Sequence, residues 1–234
     1  MKRHALRLLG LLALCTLALQ LSFALRIALM IGVDPQSTAF QRSEIRRLLV
    51  ERHRLLWSRQ WVPRERISAN LRRAVIASED ADFVHHGGVD WDAIEKAWKR
   101  NERAEARSPA HAKIVGGSTI TQQLAKNLFL SGERTVLRKA QELVITLTLE
   151  ALLSKQRILE IYLNNVEWGE GIYGAQAAAR HYFHVDAARL NAEQAARLAV
   201  MLPAPKRFEK SPASAYVVGR AATIVARMGA VDVP

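Results

Sequence analysis

A chain of 234 residues, half of them hydrophobic, carries enough apolar material for one sizeable core or two. Its 34 lysines and arginines against 22 acidic residues leave a formal net charge of +12, which points to an anionic partner or else to a solvated basic surface. The single cysteine, Cys15, excludes an intramolecular disulfide and any cysteine-based metal cluster.

The chain opens with "MKRHALRLLGLLALCTLALQLSFALRIALMIGV", basic at Lys2, Arg3 and Arg7 and then uncharged from Leu8 to Leu25. With the apolar continuation past Arg26 to Val33, the run is long enough to cross a bilayer. The basic end is expected on the cytoplasmic side, with Arg26 snorkelling toward the far interface. A cleaved signal peptide ending at Ser22-Phe23-Ala24 is the competing reading. Both export the remainder. The expected organisation is an anchor over 1–33, a basic juxtamembrane connector over 34–60 and one domain over 61–234.

Residues 34–66 are polar and arginine-rich, and read as a connector plus one basic amphipathic helix close to the membrane. From Ile67 the pattern turns helical: Ser68 is the expected N-cap, and Leu71, Ala74, Val75 and Ala77 follow at helical spacing. This helix runs into "AVIASEDADFVHHGGVDW", residues 74–91, where an apolar run stops at Glu79 and Asp80. A carboxylate there faces the negative pole of the helix dipole, and the apolar segment behind it adds desolvation. Both raise its pKa, as a general base or acid near neutral pH requires. Phe83 is the expected apolar wall, His86 or Asp80 the orienting hydrogen bond, and the glycines after Phe83 a break in the backbone. The plainer alternative is that both acids end a helix and face water. His85 and His86 are adjacent, a spacing that seldom converges on one metal ion without further ligands.

"AWKRNERAEARSPAHAKIV", residues 97–115, is charged and then loop-like around Pro109, and reads as a mobile connection. In the following "GGSTITQQLAKNLFLSG", Thr119, Gln123 and Lys126 share one helical stripe, and Ile120, Leu124 and Leu128 form another. The N-terminus beside Gly116 and Gly117 offers backbone N–H groups to an anion. A plain amphipathic helix explains the same pattern.

A long helix is expected from about Thr135 to Leu163. It carries Arg138 four residues and Lys139 three residues before Glu142. These make a surface ion pair of little worth or, in a cleft, a cation–carboxylate set suited to a pyrophosphate. "NNVEWGEGIYG" reads as a glycine-punctuated turn, "AQAAARHYF" as a short helix, and Asn191 with Gln194 as a capping box opening a helix that Pro203 ends. No segment shows a convincing strand period, so the fold class expected is mainly α.

Five segments in order then carry a family resemblance: "EDADFVHHGG", "GGSTITQQLAKN", "RKAQE" with "SKQRILEIYLN", "NNVEWGEGIYG" and "LAVMLPAPKRF". Across about residues 61–208 the chain resembles the peptidoglycan glycosyltransferases, the lysozyme-like domain found in class A penicillin-binding proteins. The Ser-x-x-Lys and Lys-Thr-Gly motifs of a transpeptidase domain are absent, so the resemblance is to members that only polymerise. It implies a bilobal, lysozyme-like helical domain behind one transmembrane helix on the outer face of a bacterial inner membrane.

It also implies a reaction: inverting transfer of a glycan from undecaprenyl diphosphate to lipid II, giving β-1,4 strands. By this resemblance Glu79 is the base, Asp80, Phe83 and His86 shape its site, and Thr119, Gln123 and Lys126 form the donor groove. Glu142, with Arg138 and Lys139, positions and neutralises the leaving diphosphate. A Mg²⁺ ion is the implied cofactor there, with Glu142 its candidate ligand. The implied partners are lipid II, the lipid-linked strand, the membrane and cell-wall synthase or division proteins, with no nucleic acid and no organic cofactor.

Two stretches depart from the family pattern. Residues 97–115 are long and highly charged, and "LPAPKRFEKSP" fits the last motif loosely, leaving Lys206 and Arg207 without an assigned role. The rival enzyme is a lytic muramidase, which also needs a helix-end glutamate but has no use for Lys126, Arg138 and Lys139. A non-enzymatic, membrane-anchored scaffold is the remaining alternative.

Overall fold

The computed structural model describes residues 2–53, 55–107, 117–130, 132–133 and 135–234. Helix α1 (Lys2–Leu29) is long and apolar enough to cross a membrane and is exposed over most of its length. Its last turns dock on the rest of the chain: Ile27 is buried, Phe23 meets Phe129 edge-on, and Gln20 hydrogen-bonds Gln141. Arg26 lies over the Phe129 ring, 4.9 Å from its centroid. Arg157 clamps the exit, with Nε donating to the Met30 carbonyl at 2.8 Å and Nη2 to Asp34 at 2.7 Å.

The stretch expected as a connector is built into the domain. Helix α2 (Ala39–Arg47) opens with a Thr38–Gln41 capping box, and both of those polar residues are fully buried. Gln41 donates to the Asn165 carbonyl, which is why burial there is tolerated. Beyond it, β1 (Ser58–Arg59) pairs in parallel with β3 (Ile172–Tyr173), and β3 pairs antiparallel with β2 (Glu167–Gly169). The glycine-punctuated turn is therefore a small hairpin, with Trp168 and Tyr173 wholly buried. Gly171 sits at φ +75°, and a Cβ there would stand 2.4 Å from the Leu56 carbonyl oxygen.

The helices fall into two packed groups. In one, α3 (Ala69–Glu79), α9 (Ala192–Met201) and α11 (Ala215–Arg227) pack on one another. In the other, α5 (Ile120–Phe129) packs on α2, α6 (Val136–Leu152) and α7 (Lys155–Asn165), and α1 rests on α6. Ser68 caps α3 and the Asn191–Gln194 box opens α9, both as expected. Helix α8 (Ala175–Phe183) carries the alanine-rich segment, and α10 (Pro205–Phe208) is a single short turn.

Two expectations are corrected. The long helix divides at Leu153, which is extended, because the Ser154 side chain caps a new helix by accepting from Arg157 N. Residues 97–107, expected as part of a connection, belong to α4 (Trp91–Arg107), where Glu95–Lys99 and Trp98–Glu102 pair at i,i+4. Residues 108–116, with Pro109 and Gly116, lie outside the described residues.

Candidate active site

Helix α3 drives a buried face of Leu71, Ala74, Val75 and Ile76 into the core and ends at Glu79, with Asp80 as C-cap. The Glu79 carboxyl is partly buried. Its pKa is raised by desolvation and, to a lesser degree, by Asp80, against the hydrogen bonds it receives from Gln123 and Ser78. Gln123 Nε2 donates to Glu79 Oε2 at 2.9 Å, and Gln123 Oε1 accepts from the Tyr162 hydroxyl at 2.9 Å. Tyr162 is buried and fixes which way the amide faces. The orienting group for Glu79 is therefore Gln123, not His86 or Asp80.

Asp80 is committed elsewhere. Its Oδ2 accepts from Ile120 N at 2.9 Å, so the anion at the N-terminus of α5 is this carboxylate and not a ligand. Its Oδ1 meets His86 Nε2 at 2.8 Å. Because His86 Nδ1 accepts from Gly88 N, the proton resides on Nε2, which donates to Asp80. Thr119 caps α5, accepting from Gln122 N while its hydroxyl donates to the Gly88 carbonyl at 2.6 Å. Gly88, at φ +89°, makes its close approach to the Thr146 and Glu150 side chains of α6, while a Cβ at Gly87 would meet open space. Phe83 is wholly buried beneath the Lys155 ammonium and edge-on to His86. It supports His86 from the core instead of walling Glu79.

The second set forms only in part. Thr119 is committed as the cap of α5 and lines the hollow around Glu79 rather than the groove that Gln123 and Lys126 face. Ile120, Leu124 and Leu128 are buried, which turns Gln123 and Lys126 toward an open groove of about 390 Å³. Asn127, Arg138 and Glu167 line the same groove. Burial lowers the Lys126 pKa; Glu142 opposes that shift, and Arg138 and Lys139 add to it. Glu142 itself is buried, with Oε2 on Arg138 Nη1 at 2.9 Å and Oε1 on Lys139 Nζ. A second hollow of about 260 Å³ surrounds Glu79, lined by Asp82, Lys96, Arg100, Ser118 and Thr119. Gln123 joins the two, lining the groove while holding the carboxylate at the hollow.

Two carboxylates thus sit in opposite settings: Glu79 is destabilised as an anion, and Glu142 is held by two cations. The first suits proton abstraction from an alcohol, the second the gathering of positive charge around a diphosphate. The Glu142 donor set does not fit a resident Mg²⁺. Both oxygens are taken by cations, and Lys126 adds a third positive charge nearby.

Tyr162, Glu167, Lys96 and Arg100 were not legible as site residues. Glu167 stood in the sequence as part of a turn. Lys206 binds Glu44 and stands 3.6 Å from Glu167, whereas Arg207 lies over Phe208.

The model of the family described as Transglycosylase matches residues 48–229. A relative from Bordetella avium (strain 197N), named biosynthetic peptidoglycan transglycosylase, is 55% identical over 201 residues, covering 86% of this chain and 83% of its own. Relatives of the same name from Paraburkholderia xenovorans (strain LB400) and Burkholderia thailandensis are each 52% identical, over 223 and 225 residues. They cover 95% and 96% of this chain, and 90% and 86% of their own.

Proposed function

Because the chain belongs to the transglycosylase family, we propose that it polymerises lipid II into linear β-1,4 glycan strands of peptidoglycan, releasing undecaprenyl diphosphate. It is a peptidoglycan glycosyltransferase. The observation that carries the chemistry is the split between Glu79, hydrogen-bonded by the neutral Gln123 amide, and Glu142, bound by Arg138 and Lys139.

In the reaction, Glu79 takes the proton of the GlcNAc 4-hydroxyl of lipid II. That oxygen attacks the anomeric carbon of the donor strand. The bond from that carbon to the phosphate oxygen breaks, and its electron pair leaves with the diphosphate. One displacement inverts the α-linked donor to a β bond. Lys126 and Arg138 in the groove, with the more exposed Lys139 beside them, stabilise the charge developing on the leaving group. The three cations supply charge that a divalent ion would otherwise bring.

Helix α1 serves as a retained anchor, with its basic end cytoplasmic and the catalytic domain on the outer face of the inner membrane. The contacts of Gln20 and Phe23 with the domain support retention over cleavage after Ala24. The net charge of +12 suits a substrate that is itself an anionic lipid. Cell-wall synthase or division proteins are the partners expected at that surface.

The test is to incubate the full chain in detergent with labelled lipid II. Polymer that a muramidase digests back to disaccharide units supports this function. Unconsumed lipid II together with cleavage of preformed strands would replace it with the lytic reading.

A further inference from the structure

Among the described residues, Glu167 Oε1 is the one carboxylate oxygen buried without a hydrogen-bond partner. Glu167 opens β2 between the buried Val166 and Trp168, and its side chain is only 9% exposed. It lines the groove that also holds Gln123, Lys126 and Arg138. The nearest cation, Lys206 of α10, stands 3.6 Å off and is engaged by Glu44 of α2, which Arg47 also binds. Tyr173 lies opposite on β3 with its own hydroxyl unpartnered, and Glu209 and Glu170 add negative charge around the hairpin. A carboxylate oxygen buried with no hydrogen-bond donor in reach is costly when ionised, which favours the neutral carboxyl.

We propose that Glu167 is a substrate-contacting residue of this groove, donating a hydrogen bond from its neutral carboxyl to an oxygen at the phosphate-linked end of the glycosyl donor. The inference rests on reading the groove as the donor site. An ionised carboxylate there would repel a diphosphate, whereas a neutral carboxyl is a donor that phosphate and sugar oxygens accept. The surroundings favour the neutral form: burial, then Glu44 and Glu209, push its pKa to about 7 against the pull of Lys206. Donor binding is thereby coupled to the protonation of one residue.

The experiment measures the affinity of the full-length protein in detergent for undecaprenyl diphosphate at about pH 6 and about pH 8.5. It compares wild type, Glu167→Gln and Glu167→Leu, and repeats the measurement with Lys126→Ala. Glu167→Gln keeps a hydrogen-bond donor of the same size at every pH. Its affinity relative to wild type is expected to rise about tenfold between the two pH values. Comparing variants at the same pH cancels the titration of the diphosphate and of Lys126, which they share. Glu167→Leu, with no donor, binds more weakly than Glu167→Gln at both.

Parallel pH dependence in wild type and Glu167→Gln, or a Glu167→Leu protein that binds as well as Glu167→Gln, overturns the proposal. If the wild type binds the diphosphate with affinity that Lys126→Ala does not alter, the donor-site reading fails with it. Loss on Lys126→Ala with no effect at Glu167 sinks the Glu167 proposal alone.

Discussion

Gln123 is bound on both sides, donating to Glu79 through Nε2 and accepting from Tyr162 through Oε1, each at 2.9 Å. The second bond prevents the amide from presenting its oxygen to the carboxylate, so the base is held in one orientation by a hydroxyl that never touches it. Gln123→Leu is expected to lower kcat about 10- to 100-fold while the fold persists. The same bond holds the Glu79 pKa down against burial. Its loss raises that pKa further, and since the base must be ionised, the acidic limb of the pH–rate profile moves to higher pH. Tyr162→Phe should shift the limb in the same direction by less. Unmoved profiles in both variants would remove Gln123 from this role.

Lys126 and Arg138 face the groove, while the Lys139 side chain is 53% exposed. Removing either of the first two is expected to lower kcat by about 10²–10³, with Lys139→Ala costing less because water screens it. Arg138→Ala also leaves the buried Glu142 with one partner fewer, so its melting temperature falls. Steady-state kinetics beside thermal unfolding separate the two effects. Equal losses at all three positions would argue against a graded charge cluster.

Asp80 ties the end of α3 to the start of α5, accepting from Ile120 N and from His86. Asp80→Ala leaves a backbone N–H and a ring N–H unpaired in a buried setting, at a cost of about 2–4 kcal/mol. Chemical denaturation should show this loss, with activity falling in the fraction that stays folded. A variant as stable as wild type would mean that the α3–α5 junction is held by packing alone.

Stability should depend on pH through Glu167. Its folded pKa, about 7, lies above the ordinary 4.5, so the folded state holds this proton more tightly than the unfolded chain. The contribution is greatest below about pH 4.5 and falls as pH rises through 7, by about 1–3 kcal/mol. Glu167→Gln stays neutral and should gain on wild type by that amount between pH 5 and 8 in denaturation midpoints. An unchanged difference between the two proteins would contradict the burial argument.

What the sequence made legible is local. Ser68, the end of α3 at Glu79, the Asn191–Gln194 box and the Arg138–Lys139–Glu142 spacing each depend on neighbours within one turn of helix. The links that position the site are long-range: Gln123 to Tyr162, Asp80 to Ile120 N and Gln41 to Asn165 join residues 39 to 124 positions apart. Polar residues such as Thr38 and Gln41 read as exposed until their partners are known. The break at Ser154 was hidden because leucines and isoleucines keep helical spacing on both sides of it. Strands of two or three residues are too short to show an alternating period, so the hairpin bearing Glu167 read as a turn.

The most direct test of Glu79 as the base is single-turnover glycosyl transfer from a lipid-linked strand to labelled lipid II by wild type and Glu79→Gln, with lipid II binding measured on both. The isosteric amide keeps the contact with the site but cannot take a proton. Transfer is expected to fall by about 10²–10⁴ with binding nearly unchanged. Transfer at close to the wild-type rate by Glu79→Gln would contradict the account and place the base elsewhere in the cleft.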